Sequence, residues 1–247
     1  MKFDTVLFRI RTLLFFAFYG LGFLAPWDWL WRAPGTRPST VWLASSTLLA
    51  RTGTAGLASA TVTVTSFALA CMALGAILRI WGTAYLGAGV MSSRAMHGNQ
   101  VVAAGPFRSV RNPLYLGSWL FAVGVSFLMP PSGALFFILA TSLLIFFLIR
   151  GEERFLSSQL GSPYEEYRRL VPRLVPRLLS RPGTSPPPSG IRPQWLQSLM
   201  AEALLAGFTV CFAIFAWRYN VGILLRCLLI CFGVALVLRG FIAKAPR

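Results

Sequence analysis

Two polar stretches decide the fold: Gly105-Pro-Phe-Arg-Ser-Val-Arg-Asn-Pro-Leu-Tyr-Leu-Gly117 and Glu152-Glu-Arg-Phe-Leu-Ser-Ser-Gln-Leu-Gly-Ser-Pro-Tyr-Glu-Glu-Tyr-Arg-Arg-Leu170. The second stretch holds four of the chain's seven acidic residues. Two apolar runs lie between the stretches, separated by Met129-Pro-Pro-Ser-Gly133. Because proline and glycine interrupt helices, we predict an antiparallel helical hairpin that carries both polar stretches at its open end.

The composition is that of a membrane protein. Of the 247 residues, 56% are hydrophobic and 12% are charged, whereas soluble domains have about 25% charged residues. We therefore predict an all-α, polytopic transmembrane bundle with short cytoplasmic amphipathic helices. A spanning helix needs about 20 apolar residues, and about six segments qualify: 12–30, 55–78, 114–130, 133–149, 195–217 and 221–242. The apolar run 40–50 is too short to cross.

The positive charge indicates an orientation rather than a nucleic-acid partner. The formal net charge is +16, but the arginines punctuate apolar runs instead of forming a soluble basic face. With six spans, 18 of the 23 Lys and Arg residues fall on one side. The positive-inside rule then places both termini and both polar stretches in the cytoplasm, in an inner or cytoplasmic-type membrane. The N-terminal run is expected to be a retained span, closed by an interfacial belt of Trp27, Trp29 and Trp31.

The order of the segments suggests four units. They are N-terminal spans (1–74), a core with the hairpin (75–180), a Pro-rich linker (181–194) and a C-terminal hairpin (195–247). The second span is rich in small residues and is expected to be central in the bundle. The cysteines at 71, 211, 227 and 231 lie in apolar runs with no CxxC pair and no nearby histidine, so neither a metal site nor a disulfide framework is expected.

Local patterns assign roles within the polar stretches. Asn112-Pro113 reads as a helix start with Asn112 as the N-cap, and that helix N-terminus would suit a carboxylate. Ser162-Pro-Tyr-Glu165 has the pattern of a capping box that opens a second helix. Tyr164 and Tyr167 are three residues apart and should share one face of it, and Pro172 and Pro176 should follow its end.

Four motifs in order resemble a known family of membrane enzymes. The motifs are Arg111-Asn-Pro-Leu-Tyr-Leu-Gly117, Glu152-Glu-Arg-Phe-Leu156, Leu160-Gly-Ser-Pro-Tyr-Glu-Glu-Tyr167 and Val171-Pro-Arg-Leu-Val-Pro176. They are similar to the membrane methyltransferases that include isoprenylcysteine carboxyl methyltransferases and phospholipid N-methyltransferases. The similarity covers about residues 75–178. Two residues depart from the pattern: Asn112 replaces the family histidine, and Phe107 stands where tyrosine is common.

The resemblance implies a cytoplasmic pocket for S-adenosylmethionine. The implied contacts are Asn99, Gln100, Val101, Val102, Gly105, Phe107, Arg111, Asn112, Pro113, Leu114, Tyr115, Glu152 and Glu153. The cofactor's ammonium group calls for a carboxylate, which either glutamate could supply. Its carboxylate could meet the helix N–H groups at 112–115 or an arginine, and its adenine calls for an aromatic slot: Phe107, Tyr115, Tyr164 or Tyr167.

The acceptor side leaves alternatives open. A carboxylate acceptor needs no general base and would be positioned by Arg150, Arg154 or Arg173, whereas an amine acceptor needs a base, for which Glu152 and Glu153 are the nearby candidates. Because the site is arginine-rich, we favour carboxyl O-methylation of a lipid-like or isoprenoid-bearing substrate that enters from the bilayer.

Three other functions stay open. They are phospholipid N-methylation, an NADPH-dependent sterol-type reductase, and a non-enzymatic bundle or transporter. The bundle alternative rests on Glu202 and Arg226, which lie inside the final hairpin and are expected to pair. His97, the only histidine, is expected to be structural rather than catalytic.

Overall fold

The computed structural model describes residues 2–24, 39–53, 56–92, 101–176 and 190–242. Every regular element in these ranges is helical, which confirms the all-α prediction. The α-helices are α1 (Lys2–Leu24), α2 (Val41–Arg51), α3 (Leu57–Leu86), α4 (Ala88–Ser92), α5 (Pro113–Ser126), α6 (Pro131–Leu160), α7 (Ser162–Leu170), α8 (Trp195–Ala201), α9 (Ala203–Arg218) and α10 (Val221–Arg239). A short 3₁₀ helix, Gly105–Arg108, precedes α5.

The chain is an integral membrane protein. Among the described residues, four helices are long and apolar enough to cross a membrane: α1, α3, α6 and α10. The pair α8–α9, bent by 64° at its break, would make a fifth. The predicted count of about six is approximate because α5 has only 14 residues. At 1.5 Å per residue it is about 21 Å long, shorter than the roughly 30 Å hydrocarbon core.

Helices α1 and α6 pack antiparallel along their whole length. Near one end, Arg154 Nη1 lies 3.0 Å from Asp4 Oδ2, and Phe8 packs against Leu144 and Leu148. Near the other end, a Cβ added to Gly133 would collide with the backbone of Gly22. The start of α1 and the end of α6 therefore lie together, and we call this side of the bundle the charged end.

Helix α3 is central, as its small residues predicted. It contacts α2, α5, α8 and α9. Its approach to α5 is closest at Gly75, where an added Cβ would lie 2.5 Å from the Gly117 carbonyl oxygen and 2.7 Å from the Phe121 nitrogen. In a bilayer the lipid tails are as apolar as the helix surfaces, so close backbone contact of this kind supplies much of the attraction between helices.

The predicted hairpin is formed by α5 and α6. Helix α5 ends at Ser126 and α6 begins at Pro131, with the prolines in the turn. The backbone N–H groups of Val41 and Trp42, which open α2, donate to Met129 and Phe127 at 2.9 and 2.8 Å. The short run 40–50 is thus a helix that packs on the hairpin turn, opposite the charged end.

Candidate active site

Tyr115 and Glu152 meet across the hairpin at the charged end. Pro113 occupies the first turn of α5, which places Tyr115 one turn into the helix, and its hydroxyl donates a 2.9 Å hydrogen bond to Glu152 Oε1. Tyr115 also packs against the Phe8–Leu144–Leu148 cluster. The pair therefore lies where α1, α5 and α6 come together.

Arg11 of α1 joins this pair, which the sequence analysis missed. Its guanidinium interacts electrostatically with both Tyr115 and Glu152, and its Nη1 donates to the Phe8 carbonyl at 2.8 Å. In the sequence, the N-terminal basic residues indicate only the orientation of the first span. Only the antiparallel packing of α1 on α6 brings one of them to the site.

Glu153 has different partners from its neighbour. Its two carboxylate oxygens accept hydrogen bonds from Arg173, at 2.6 Å from Nη2 and 3.2 Å from Nε. Arg111 Nη2 lies 3.3 Å from Oε1, and the Glu153 side chain is 6% exposed. The hydrogen bond to Glu153 raises the pKa of Arg173 further. Glu153 thus holds together the segments before α5 and after α7.

The segment around Arg111 is pinned by backbone contacts. Arg111 Nη1 donates to the Arg168 carbonyl at 3.0 Å, and its backbone N–H donates to Pro172 O at 2.9 Å. Arg111 Nε is buried and has no hydrogen-bond partner within the described ranges. One buried polar atom at the start of α5 is therefore without a partner among the described residues.

Asn112 stands at the N-cap position of α5, but the predicted side-chain cap is wrong. Its side chain makes no cap hydrogen bond. The amide instead donates to the Arg173 carbonyl at 3.2 Å, because the segment after α7 lies against the start of α5. The first backbone bond of this helix runs from Leu116 N–H to Asn112 O.

Helix α7 packs its tyrosines against the 3₁₀ segment. Tyr164 and Tyr167 share one face, as predicted, with ring centroids 6.0 Å apart. The Tyr167 hydroxyl donates to the Phe107 carbonyl at 2.7 Å, and both rings pack around Ala103 and Val171. Burial raises the pKa of both tyrosines. These residues form a packed layer beside the open end of the α5–α6 hairpin.

The capping box predicted at Ser162–Glu165 is wrong. The residue before α7 is Gly161, at φ +59°, and no side chain caps the helix. Glu165 Oε1 accepts from Ser157 Oγ at 2.7 Å instead. The left-handed glycine turns the chain so sharply that α7 folds back on the end of α6, and Glu165 finds its partner there. Helix α7 itself ends at Leu170, before Pro172, as predicted.

An open, basic cleft of about 550 Å³ lies beside Glu153. Its lining residues are Arg150, Glu153, Arg154, Ser157, Ser158, Glu165, Arg168 and Arg173. Arg154 is 62% exposed and pairs with Asp4, and the Arg150 guanidinium lies 5.3 Å from the Phe146 ring centroid. The three arginines suggested for the acceptor thus share one cleft.

Residues 63–162 match the family model of the phospholipid methyltransferases. This stretch, called the family segment below, is similar to that family. The match confirms the resemblance found in the motifs, and it favours a membrane methyltransferase. No curated protein and no solved structure matches the chain.

The family segment contains the hairpin and most of the implied cofactor contacts. Val101 and Val102 are half-buried, Gly105 has a φ of +54°, and Pro113 is buried. Leu114 packs beside Gly82 of α3. Asn99, Gln100 and His97 lie outside the described residues, as do the tryptophan belt and most of the Pro-rich linker.

Outside the family segment, the predicted pairing of Glu202 with Arg226 is wrong. Glu202 Oε2 and Oε1 lie 2.8 and 2.9 Å from Arg79 Nε and Nη2, whereas Arg226 is exposed. The break between α8 and α9 turns Glu202 toward α3, away from α10. A partner 123 residues away leaves no local signal in the sequence around Arg79.

Proposed function

We propose that the chain is an S-adenosylmethionine-dependent methyltransferase that methylates the carboxylate of a lipid-like or isoprenoid-bearing amphiphile entering from the bilayer. The observation that carries the proposal is the division between the two glutamates. Glu152 accepts from a tyrosine hydroxyl, whereas Glu153 is held by Arg111 and Arg173 beside a basic cleft. One carboxylate is available to a cation, and the arginines beside the other favour an anion.

The residues at the start of α5 fit the amino-acid part of the cofactor. The N–H groups of Leu114 and Tyr115 precede the first helical hydrogen bond, which Leu116 donates, and a helix N-terminus favours a carboxylate. The unpartnered Arg111 Nε offers a further donor. Glu152, across the hairpin, would accept from the ammonium group in a charge-assisted bond. When bound, S-adenosylmethionine supplies an electrophilic methyl group.

The acceptor would lie in the arginine cleft. Arg150 and Arg154 follow the apolar part of α6. A substrate could therefore keep its tail in the bilayer while its anionic head binds their guanidinium groups. A carboxylate oxygen attacks the methyl group without losing a proton, and the protein therefore has only to align the two groups. The two acidic residues of the cleft, Glu153 and Glu165, are already paired with Arg173 and Arg168. Neither therefore neutralises the positive charge of Arg150.

A second candidate is N-methylation of a phospholipid amine, which the description of the matched family favours. An amine must be deprotonated before it attacks, and Glu152 would be the base. The phosphate of such a lipid would then occupy the arginine cleft. The two candidates share the anion site and differ in the methylated atom.

Isothermal titration of the purified protein in nanodiscs with S-adenosylhomocysteine tests the cofactor. We expect saturable binding, with no thermal shift from NADPH as the comparison. Absence of S-adenosylhomocysteine binding, or stabilisation by NADPH alone, would overturn the proposal.

Radiolabelled methyl transfer into lipid extracts tests the acceptor. A methyl ester is cleaved by mild alkali and releases volatile labelled methanol, whereas an N-methyl group survives. We expect the label to be released; retention of the label on an amine would replace our first candidate with the second.

The same proposal places both termini and the charged end in the cytoplasm. Glu166→Cys on α7 and Thr52→Cys after α2 lie at opposite ends of the bundle. In sealed right-side-out vesicles, a membrane-impermeant maleimide should label Cys at 52 and should label Cys at 166 only after lysis. The reverse pattern would invert the orientation.

A further inference from the structure

Among the described residues outside the family segment, Glu202 is the most deeply buried acidic residue. It lies at the break between α8 and α9, where the two helices bend by 64°, and it is 1% exposed. Besides its two bonds to Arg79, its Oε1 accepts from Thr83 Oγ1 at 2.9 Å. Three hydrogen bonds therefore join the C-terminal helices to α3 at one carboxylate.

The same arginine also reaches α5. Arg79 Nη1 donates to Ser118 Oγ at 2.7 Å, and that hydroxyl in turn donates to the Leu114 carbonyl at 2.9 Å. Residues three and four apart on a helix are neighbours on one face, so Ser118 lies directly behind Tyr115 and Leu114. A continuous polar chain thus runs from Glu202 through Arg79 and Ser118 into the first turn of α5.

The packing around Arg79 leaves it little freedom to adopt another position. A Cβ added to Gly117 would lie 2.8 Å from Arg79 Cγ, so the glycine lets the arginine stem lie against α5. Two further contacts fix the C-terminal segment on α3: Gln194 N–H donates to Ala84 O at 2.8 Å, and Ser198 Oγ donates to Ile80 O. Since an unpaired charge in the membrane is strongly disfavoured, Arg79 and Glu202 stay together.

We propose that Glu202 is a positioning residue for the active site: through Arg79 and Ser118 it fixes the first turn of α5, and thereby holds Tyr115 opposite Glu152. The C-terminal helices are then part of the catalytic unit, although they lie outside the family segment. The inference rests on the proposed function only in treating Tyr115–Glu152 as the cofactor site.

The test uses three variants of the full chain. Glu202→Gln keeps the shape but leaves the Arg79 charge without its counterion. Ser118→Ala keeps the Arg79–Glu202–Thr83 cluster and removes only the link to α5. Arg226→Gln, an exposed position on α10, is the matched control.

Two measurements are made on each variant. Hydrogen–deuterium exchange is followed in peptides covering 113–122, and the Kd of S-adenosylhomocysteine is measured by titration. Both Glu202→Gln and Ser118→Ala should raise the exchange rate at the start of α5 and weaken binding by roughly 2- to 30-fold, the range of energetic coupling through packed networks. Arg226→Gln should change neither, and Ser118→Ala should leave exchange in α8 and α9 as in the parent.

A merely structural tether gives a different result. If Glu202→Gln lowers the melting temperature while exchange in 113–122 and the Kd stay unchanged, the proposal is wrong. If Glu202→Gln does not fold, Ser118→Ala decides, since unchanged exchange and affinity in that variant would overturn the proposal equally. If the parent protein binds no S-adenosylhomocysteine, the proposed function fails, and the exchange data still decide whether Glu202 acts on α5.

Discussion

The hydroxyl of Tyr115 lies 2.9 Å from Oε1 of Glu152 and donates a hydrogen bond to it. This bond joins the first turn of α5 to the charged end of α6, across the open end of the hairpin. Of the two adjacent glutamates, Glu152 and Glu153, only Glu153 has arginines hydrogen-bonded to its carboxylate in the contacts described above. The bond therefore fixes the Glu152 carboxyl group opposite the first turn of α5.

Glu152→Gln should weaken binding of S-adenosylhomocysteine about 10- to 100-fold, because a hydrogen bond to a charged group contributes about 1.5–3 kcal/mol. Tyr115→Phe should have a smaller effect, about fivefold, since it removes one neutral donor. Titration calorimetry measures both. The exposed Arg169→Ala is the control, and equal losses in all three variants would refute this placement of the pocket.

Glu153→Ala should destabilise the protein more than it changes cofactor affinity. It leaves Arg111, whose side chain is 9% exposed, without its counterion. We expect a loss of about 2–3 kcal/mol, less than for a fully buried pair because Arg173 is 43% exposed. Thermal unfolding in detergent measures the effect, with the exposed Glu166→Gln as the control. A melting temperature equal to that of the control would show that Glu153 does not hold the two segments.

Tyr167→Phe and Tyr164→Phe form a matched pair. Tyr167→Phe leaves the buried Phe107 carbonyl without its 2.7 Å partner, which should cost about 1–3 kcal/mol of unfolding free energy. Tyr164→Phe removes a hydroxyl of the same packed layer that has no hydrogen bond in the described contacts, and it should be nearly neutral. Burial raises the pKa of both phenols. Both hydroxyls therefore stay neutral from pH 7 up to the ordinary tyrosine pKa of about 10. Equal stability of the two variants would contradict the assignment.

Gly75→Ala should push α3 away from α5. Its Cβ would lie 2.5 Å from the Gly117 carbonyl oxygen. That oxygen is a backbone atom, so it can move away only if α5 itself shifts. We expect a lower melting temperature and loss of methyl transfer. Gly233→Ala on α10, where an added Cβ meets nothing within 4 Å, should be neutral or stabilising by up to about 1 kcal/mol. A Gly75→Ala protein as stable and active as Gly233→Ala would show that the close approach is dispensable.

The sequence by itself determined the helices and the hairpin. Long apolar runs have to satisfy their backbone groups internally in lipid, so they form helices, and Pro130 and Pro131 mark where α5 gives way to α6. The paired tyrosines of α7 followed from helical spacing. The same reasoning failed at Ser162, because a left-handed glycine next to it redirects Glu165 to Ser157.

Only the tertiary structure decided which charges meet. Glu152 and Glu153 are adjacent in sequence, but successive residues of an α-helix point about 100° apart. One therefore faces Tyr115 and α1, and the other faces Arg111 and Arg173. Likewise, Arg79 and Glu202 are separated by 123 residues, and Asn112 gives its amide to a carbonyl beyond α7. Periodicity fixes the face of a residue within its own helix, whereas its partner depends on how whole helices pack.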